Sequence, residues 1–156
     1  MTPTTNEHRL QALGLTLPEA PQPLGAYVPA VQTGNLLFLS GMLPIAGHQA
    51  LALGHLGREL DVPAASRATR AAALNALAVA RHHLGTLDRV RRVVRLGVSI
   101  ATHGDVRNHA QVADAASELL RDVLGPDSIG ARMVFGVASL PLGTPVELEL
   151  ILEIEP

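Results

Sequence analysis

The sequence predicts a single α+β domain, a mostly antiparallel sheet with two helices on one face. Three observations predict it. Short alternating apolar runs, bounded by Gly, Pro and Asn, occur in pairs near both ends of the chain. Between them lie two long segments with helical apolar spacing. The length of 156 residues suits one core and is short for two. The element order read from pattern is β-β-α-β-α-β-β, which favours an α+β sheet over a doubly wound one.

Residues 1–23 form an N-terminal extension with a short amphipathic helix over 7–14 (EHRLQALG), ended by Gly14. Pro18, Pro21 and Pro23 keep 15–25 extended. Residues 27–31 and 36–40 read as strands, with Thr33-Gly34-Asn35 as the hairpin turn between them. Gly41, Pro44, Gly47, Gly54 and Gly57 make 41–60 a loop. Asp61 and Pro63 announce a helix that runs to Leu84, where Gly85 stops it. Its middle, AAALNALAVA, is nearly all small or apolar. Leu74, Leu77 and Leu84 share a stripe, and Arg67, Arg70 and Arg81 lie outside it. RVRRVVRLGVSIAT (89–102) suits a long strand. A second helix spans about 105–124 and stops at Gly125-Pro126. A β-hairpin, GARMVFGVASLPLGTPVELELILEI (130–154), closes the chain.

Absences exclude several chemistries. Cys and Lys are both missing, so all twelve cations are Arg. Disulfides, thiolate metal sites, cysteine nucleophiles, Schiff-base lysines and the P-loop lysine are excluded together. A net charge of −2 and 2% aromatics give no reason to expect a nucleic-acid partner. No apolar run approaches the roughly 18 residues of a membrane helix. MTPTTNEHRLQALGLTL lacks a basic start followed by an apolar stretch, so a cytoplasmic location is expected. His82 and His83 are adjacent, His103 and His109 follow no ligand spacing, and no H-E-x-x-H occurs, so no metal is expected. Gly97-Val98-Ser99 imitates the start of a nucleophile elbow but sits inside a strand pattern, which makes it structural.

The odd residue of the closing hairpin is Arg132, a permanent charge in a strand otherwise of Met, Val, Phe and Ala. By alternation, Met133, Phe135 and Val137 share one face, and Arg132, Val134 and Gly136 the other. In the next strand Val146, Leu148, Leu150 and Leu152 share a face opposite Glu147, Glu149, Ile151 and Glu153. If both apolar sets meet the helices, Arg132 and Glu147 project together from the helix-free face. A planar guanidinium beside Val134 and Gly136 is suited to hold a carboxylate in a bidentate way.

The motif ARMVFGVASLPLGTPVELELILEI resembles the C-terminal signature of the RidA (YjgF) family of reactive-intermediate enamine/imine deaminases. That signature has an Arg opening a strand, a V-A-x-L-P turn and a V-E-x-E strand. LGAYVPAVQTGNLLFLSGMLP (24–44) is similar to the family's N-terminal pattern, and the likeness spans about residues 24–154. The resemblance implies a chorismate-mutase-like α+β fold assembled as a homotrimer, with ligand clefts between neighbouring subunits. It implies hydrolysis of 2-imino or 2-enamino acids to 2-oxo acids and ammonia without a cofactor. Residue by residue, Arg132 matches the clamp for the substrate carboxylate, and Glu147 the glutamate that helps hold the attacking water. Tyr27 matches the aromatic of the cleft, and Ser40 with Gly41 the loop whose backbone contacts the ligand. Departures are Val134, where Cys is frequent, Met42 for Gln, Gly130 for Pro, and Asp114 where the family often carries Asn. With the N-terminal extension and the enlarged 45–60 loop, these mark a divergent, longer branch. Two rival functions follow from the same residues: a non-catalytic module binding a 2-oxo acid, and an endoribonuclease.

Overall fold

The computed structural model describes residues 4–156. Helix α1 (Asn6–Ala12) is capped by Thr5, whose hydroxyl accepts the His8 N–H. The buried Asn6 amide donates to the carbonyls of Leu87 and Val90 at 2.8 and 2.9 Å. Glu7 accepts the Leu87 N–H and pairs with Arg81. These bonds fasten the N-terminal extension to the start of the long strand that begins at Val90.

Five strands form the main sheet: β1 (Ala30–Thr33), β2 (Leu36–Met42), β5 (Val90–Ala101), β6 (Ala131–Val137) and β7 (Val146–Ile154). Their order is β1-β2-β7-β5-β6. All neighbours are antiparallel except β5 and β6, which are parallel. Within the expected 41–60 loop, β3 (Ile45–Ala46) and β4 (Gln49–Ala50) form a separate small ribbon around Gly47 at φ +61. Helix α2 (Val62–Leu84) has the predicted boundaries: Asp61 accepts the Ala64 N–H, and Gly85 closes the helix at φ +82. Helix α3 (His109–Leu124) begins later than expected, after a turn over 105–108.

Both helices cover one face, α2 over β2 and β7 and α3 over β5 and β6. Leu37 and Leu39 of β2, Leu148, Leu150 and Leu152 of β7, and Val98 and Ile100 of β5 are buried beneath them. Ala65, Ala72, Ala73, Ala76 and Ala80 are at most 1% exposed, so α2 lies close to the sheet and to α3. Core filling by small residues is how a chain nearly without aromatics reaches close packing.

Three expectations are corrected. The strand expected at 27–31 starts at Ala30, and Tyr27 lies in the turn before it, its N–H donating to Gly25. Residues 131–137 and 146–154 are not a hairpin, because β5 lies between them. Their eight-residue connection contains Pro141 and Pro145, too long for a tight antiparallel turn. The inner face of β7 is buried throughout, which suits a central strand, whereas β6 is largely exposed at the sheet edge. The helical crossover through α3 instead makes β6 parallel to β5. The third correction concerns face. Arg132 pairs in register with buried Leu96, and its side chain reaches α3, whereas Met133 and Phe135 turn away from the helices, 45% and 53% exposed. Glu147 does take the helix-free face, in register with Ser99 and Phe135. Arg132 and Glu147 therefore stand on opposite faces of the sheet.

One buried polar side chain of α2 links the core to the site. Asn75 is 2% exposed and donates to the carbonyls of Leu43 and Ile45, each at 2.9 Å. Those bonds fix the turn after β2. Asn75→Ala leaves both carbonyls without a donor, with an expected loss of about 2–3 kcal/mol. A lower urea midpoint at unchanged slope checks this.

Candidate functional site

On the helix-free side, Tyr27, Ser40, Gly41 and Glu147 line one cavity of about 380 Å³, together with Leu24, Gly25, Leu43 and Pro141. The register between β2 and β7 shifts between Leu39 and Met42, which releases Ser40 and Gly41 from the ladder. Ser40 turns back on the preceding loop: its N–H donates to Pro29 at 2.9 Å and its hydroxyl to Val28 at 2.6 Å. The Tyr27 oxygen accepts the Leu24 N–H at 3.0 Å, so its own hydrogen remains available. Gly41 leaves room for the Glu147 side chain. A Cβ there would overlap the Glu147 carboxylate, which lies directly over it.

Glu147 is half-buried, and desolvation raises its carboxyl above the ordinary value. Among the described residues no side chain or N–H donates to that carboxylate. A second cavity of about 230 Å³, lined by Gly41, Arg95, Ser99 and Phe135 among others, reaches the same carboxylate from the other side. A desolvated, unpartnered carboxylate between two openings is suited to hold a water and accept its proton.

The raised value has a stability consequence with a definite sign. Below the ordinary 4.5 the group is protonated both folded and unfolded and contributes no difference. As pH rises through the higher folded value, charging a half-buried group costs stability. Glu147→Gln should therefore unfold at a higher temperature than the wild type at neutral pH. The gap should close on acidification, as read by thermal melts across pH.

On the opposite side, Arg132 of edge strand β6 meets the outer stripe of α3. Its Nη1 donates to Asp114 Oδ1 at 2.7 Å and to Ser117 Oγ at 3.1 Å. A cavity of about 460 Å³ opens there, walled by Asp114, Ser117, Glu118, Arg121 and Arg132 with Ile129 and Gly130. Val134 is half-buried against the core beneath α3 and lines neither this cavity nor the one at Tyr27.

The predicted site residues thus fall into two groups. Tyr27, Ser40, Gly41 and Glu147 stand together, and Arg132 stands with Asp114 on the other side of the sheet. Ser117, Arg95, Ser99 and Phe135 were missed by sequence reasoning. Ser117 had a signal, its spacing of three from Asp114 on one helix stripe. The others depend on cross-strand register and had none.

Comparisons with known proteins agree with this architecture. The family model described as "YjgF/chorismate mutase-like, putative endoribonuclease" matches residues 7–154. Protein TCP17 of Trypanosoma cruzi is 39% identical over 147 residues, covering 93% of this chain and 91% of that protein. Atu1372 of Agrobacterium tumefaciens, a protein of unknown function, superposes with a TM-score of 0.87 at 38% identity, covering 97% of this chain and 93% of that one. A "putative endoribonuclease" of Shewanella oneidensis gives 0.91 at 33% identity, covering 96% and 99%. RidA from the Antarctic bacterium Psychrobacter sp. PAMC 21119 gives 0.63 at 27% identity, covering 87% and 94%. The chain lies nearer in shape to the first two structures than to RidA itself, which fits a divergent branch. It belongs to the YjgF/chorismate mutase-like family.

Proposed function

We propose that the protein hydrolyses 2-imino or 2-enamino acids to 2-oxo acids and ammonia in the cytoplasm, at clefts between copies of the chain in a homotrimer. One observation carries the reading. Arg132 offers an open guanidinium edge on one face of the sheet, and Glu147 an unpartnered carboxylate on the other. A single ligand can touch both only if they come from different copies. The helix-free face supports such association: Val31, Phe38, Met133 and Phe135 stand exposed on it, an apolar surface of the kind that marks self-association.

In such a cleft Arg132 holds the substrate carboxylate through two parallel bonds. Glu147 holds a water against the electrophilic imine carbon and accepts its proton as the C–O bond forms. The proton passes to nitrogen; as the C–N bond breaks, the new hydroxyl returns its proton to Glu147, the carbonyl of the 2-oxo acid forms and ammonia leaves. Fixing both partners is enough for a carbon this electrophilic, so no cofactor or nucleophilic side chain is required. Ser40 and Gly41 shape the wall at the β2 bulge, and Tyr27 offers its hydroxyl from the rim.

The test supplies 2-iminobutanoate generated in situ and follows its loss. The wild type should accelerate that loss, and Arg132→Ala should lower kcat/KM about a hundredfold or more. No acceleration by the wild type, or full activity in Arg132→Ala, overturns the reading. A second reading is favoured by Asp114, which already occupies part of Arg132: a module that binds a 2-oxo acid without turning it over. Calorimetry showing Arg132-dependent binding with no turnover selects it. The family description also names an endoribonuclease. The acidic balance and scarce aromatics oppose that activity, and RNA cleavage lost in Arg132→Ala would establish it.

A further inference from the structure

We infer that Asp114 makes the Arg132 cavity selective for a zwitterion, an α-ammonium or α-iminium carboxylate, over a plain carboxylate of the same skeleton. The inference rests on the reading of Arg132 as a carboxylate clamp and specifies the charge state the clamp accepts. Asp114 acts here as a specificity-determining residue.

The geometry of the guanidinium comes first. Asp114 and Ser117 both take hydrogen bonds from Nη1. Among the described residues nothing accepts from Nε or Nη2, so the Nε–Nη2 edge stays open to a carboxylate. Ser117 Oγ accepts from Nη1 and retains its own hydrogen to donate to the same ligand. Isolated surface ion pairs contribute little, but this one sits in the wall of a cavity of about 460 Å³, and the Arg132 side chain is only 27% exposed.

The charge count comes next. Arg121 and Arg132 share the cavity wall with Asp114 and Glu118, two positive charges against two negative. Arg121 is further engaged by Asp122 at 3.2 Å. The cavity therefore offers no net attraction for an anion. A plain carboxylate on the open edge of Arg132 meets the Asp114 charge within a few ångströms, at a distance where like charges repel appreciably. A ligand with a cationic nitrogen on the carbon next to its carboxylate reverses that term. Its nitrogen faces Asp114 while its carboxylate bonds Arg132, and Asp114 Oδ2 has no donor among the described residues. A protonated imine of a 2-oxo acid has this charge pattern, and so does an α-amino acid. The 2-oxo acid product lacks it, so the same aspartate favours substrate over product.

The test is calorimetric titration of the full chain at neutral pH with two probes of one skeleton, (S)-2-aminobutanoate and 2-oxobutanoate. The wild type should bind the amino acid about tenfold more tightly. Asp114→Asn, shown folded by its thermal melt, should bind the oxo acid more tightly than the amino acid. Ser117→Ala should keep the wild-type order. Equal binding of both probes by the wild type, preference for the oxo acid, an unchanged ratio in Asp114→Asn, or no binding of either probe overturns the inference. The wild-type ratio alone decides if Asp114→Asn does not fold. Turnover of 2-iminobutanoate by the same sample separates the two claims. The ratio without turnover overturns the hydrolase and leaves the selection standing, and turnover with equal binding does the reverse.

Discussion

Equimolar mixing and reassembly of Arg132→Ala and Glu147→Gln chains is expected to return about a quarter of the wild-type rate, although neither variant alone is active. The reason is the sheet itself. Arg132 lies in register with Leu96 on the helix side, and Glu147 with Ser99 on the free side. The single backbone layer of the sheet separates the faces, and side chains on opposite faces point away from each other, so one ligand does not meet both groups within a chain. In the proposed homotrimer each cleft would take its arginine from one copy and its glutamate from the next. After random mixing, half the clefts receive an intact arginine and half of those an intact glutamate, hence about one in four. The check is the 2-iminobutanoate rate of the mixture against the sum of the separate rates. A mixture no faster than that sum means the two groups do not meet across copies.

Gly130→Ala is expected to be the most damaging single methyl addition near the site, with a loss of about 3 kcal/mol and a fall of about 10 °C in Tm. Gly130 enters β6 where the register of β5 shifts between Val93 and Arg95. A Cβ there would run into the backbone carbonyls of Val93 and Val94. Side chains can give way by changing rotamer, but these carbonyls belong to β5, an interior strand bonded on both sides. The start of β6 must shift, and Arg132, two residues on, moves away from Asp114 and Ser117. Differential scanning calorimetry reads the stability. Loss of Arg132-dependent ligand binding above what the lower Tm explains reads the displacement. A Tm within a degree or two of the wild type would show that β6 can slide without cost.

Much of the fold was legible because its signals are local. Asp61, Pro63 and Gly85 set α2 through capping chemistry that needs no distant partner. The alternation of β7 placed Leu148, Leu150 and Leu152 inward correctly, since three carboxylates occupied the other face. The family motif picked out Tyr27, Ser40, Gly41 and Glu147, and the structure gathers these four around one cavity. Asp114 was legible as a charge at an Asn position, but not as the partner of Arg132.

Alternation assigns residues to common faces, and it did so correctly for Arg132, Val134 and Gly136. It does not say which face meets the helices. For β7 the carboxylates decided that correctly, whereas in β6 burial preference pointed Met133 and Phe135 at the helices and the structure turned them outward. Strand order decided it. Parallel pairing to β5 at the sheet edge set β6 beneath the polar flank of α3, where Asp114 and Ser117 receive Arg132. By itself, then, the sequence determined the elements, their caps and the chemistry of the side chains. The tertiary structure alone decided that Arg132 and Glu147 lie on opposite faces, because strand order and face come from hydrogen bonds between segments far apart in the chain.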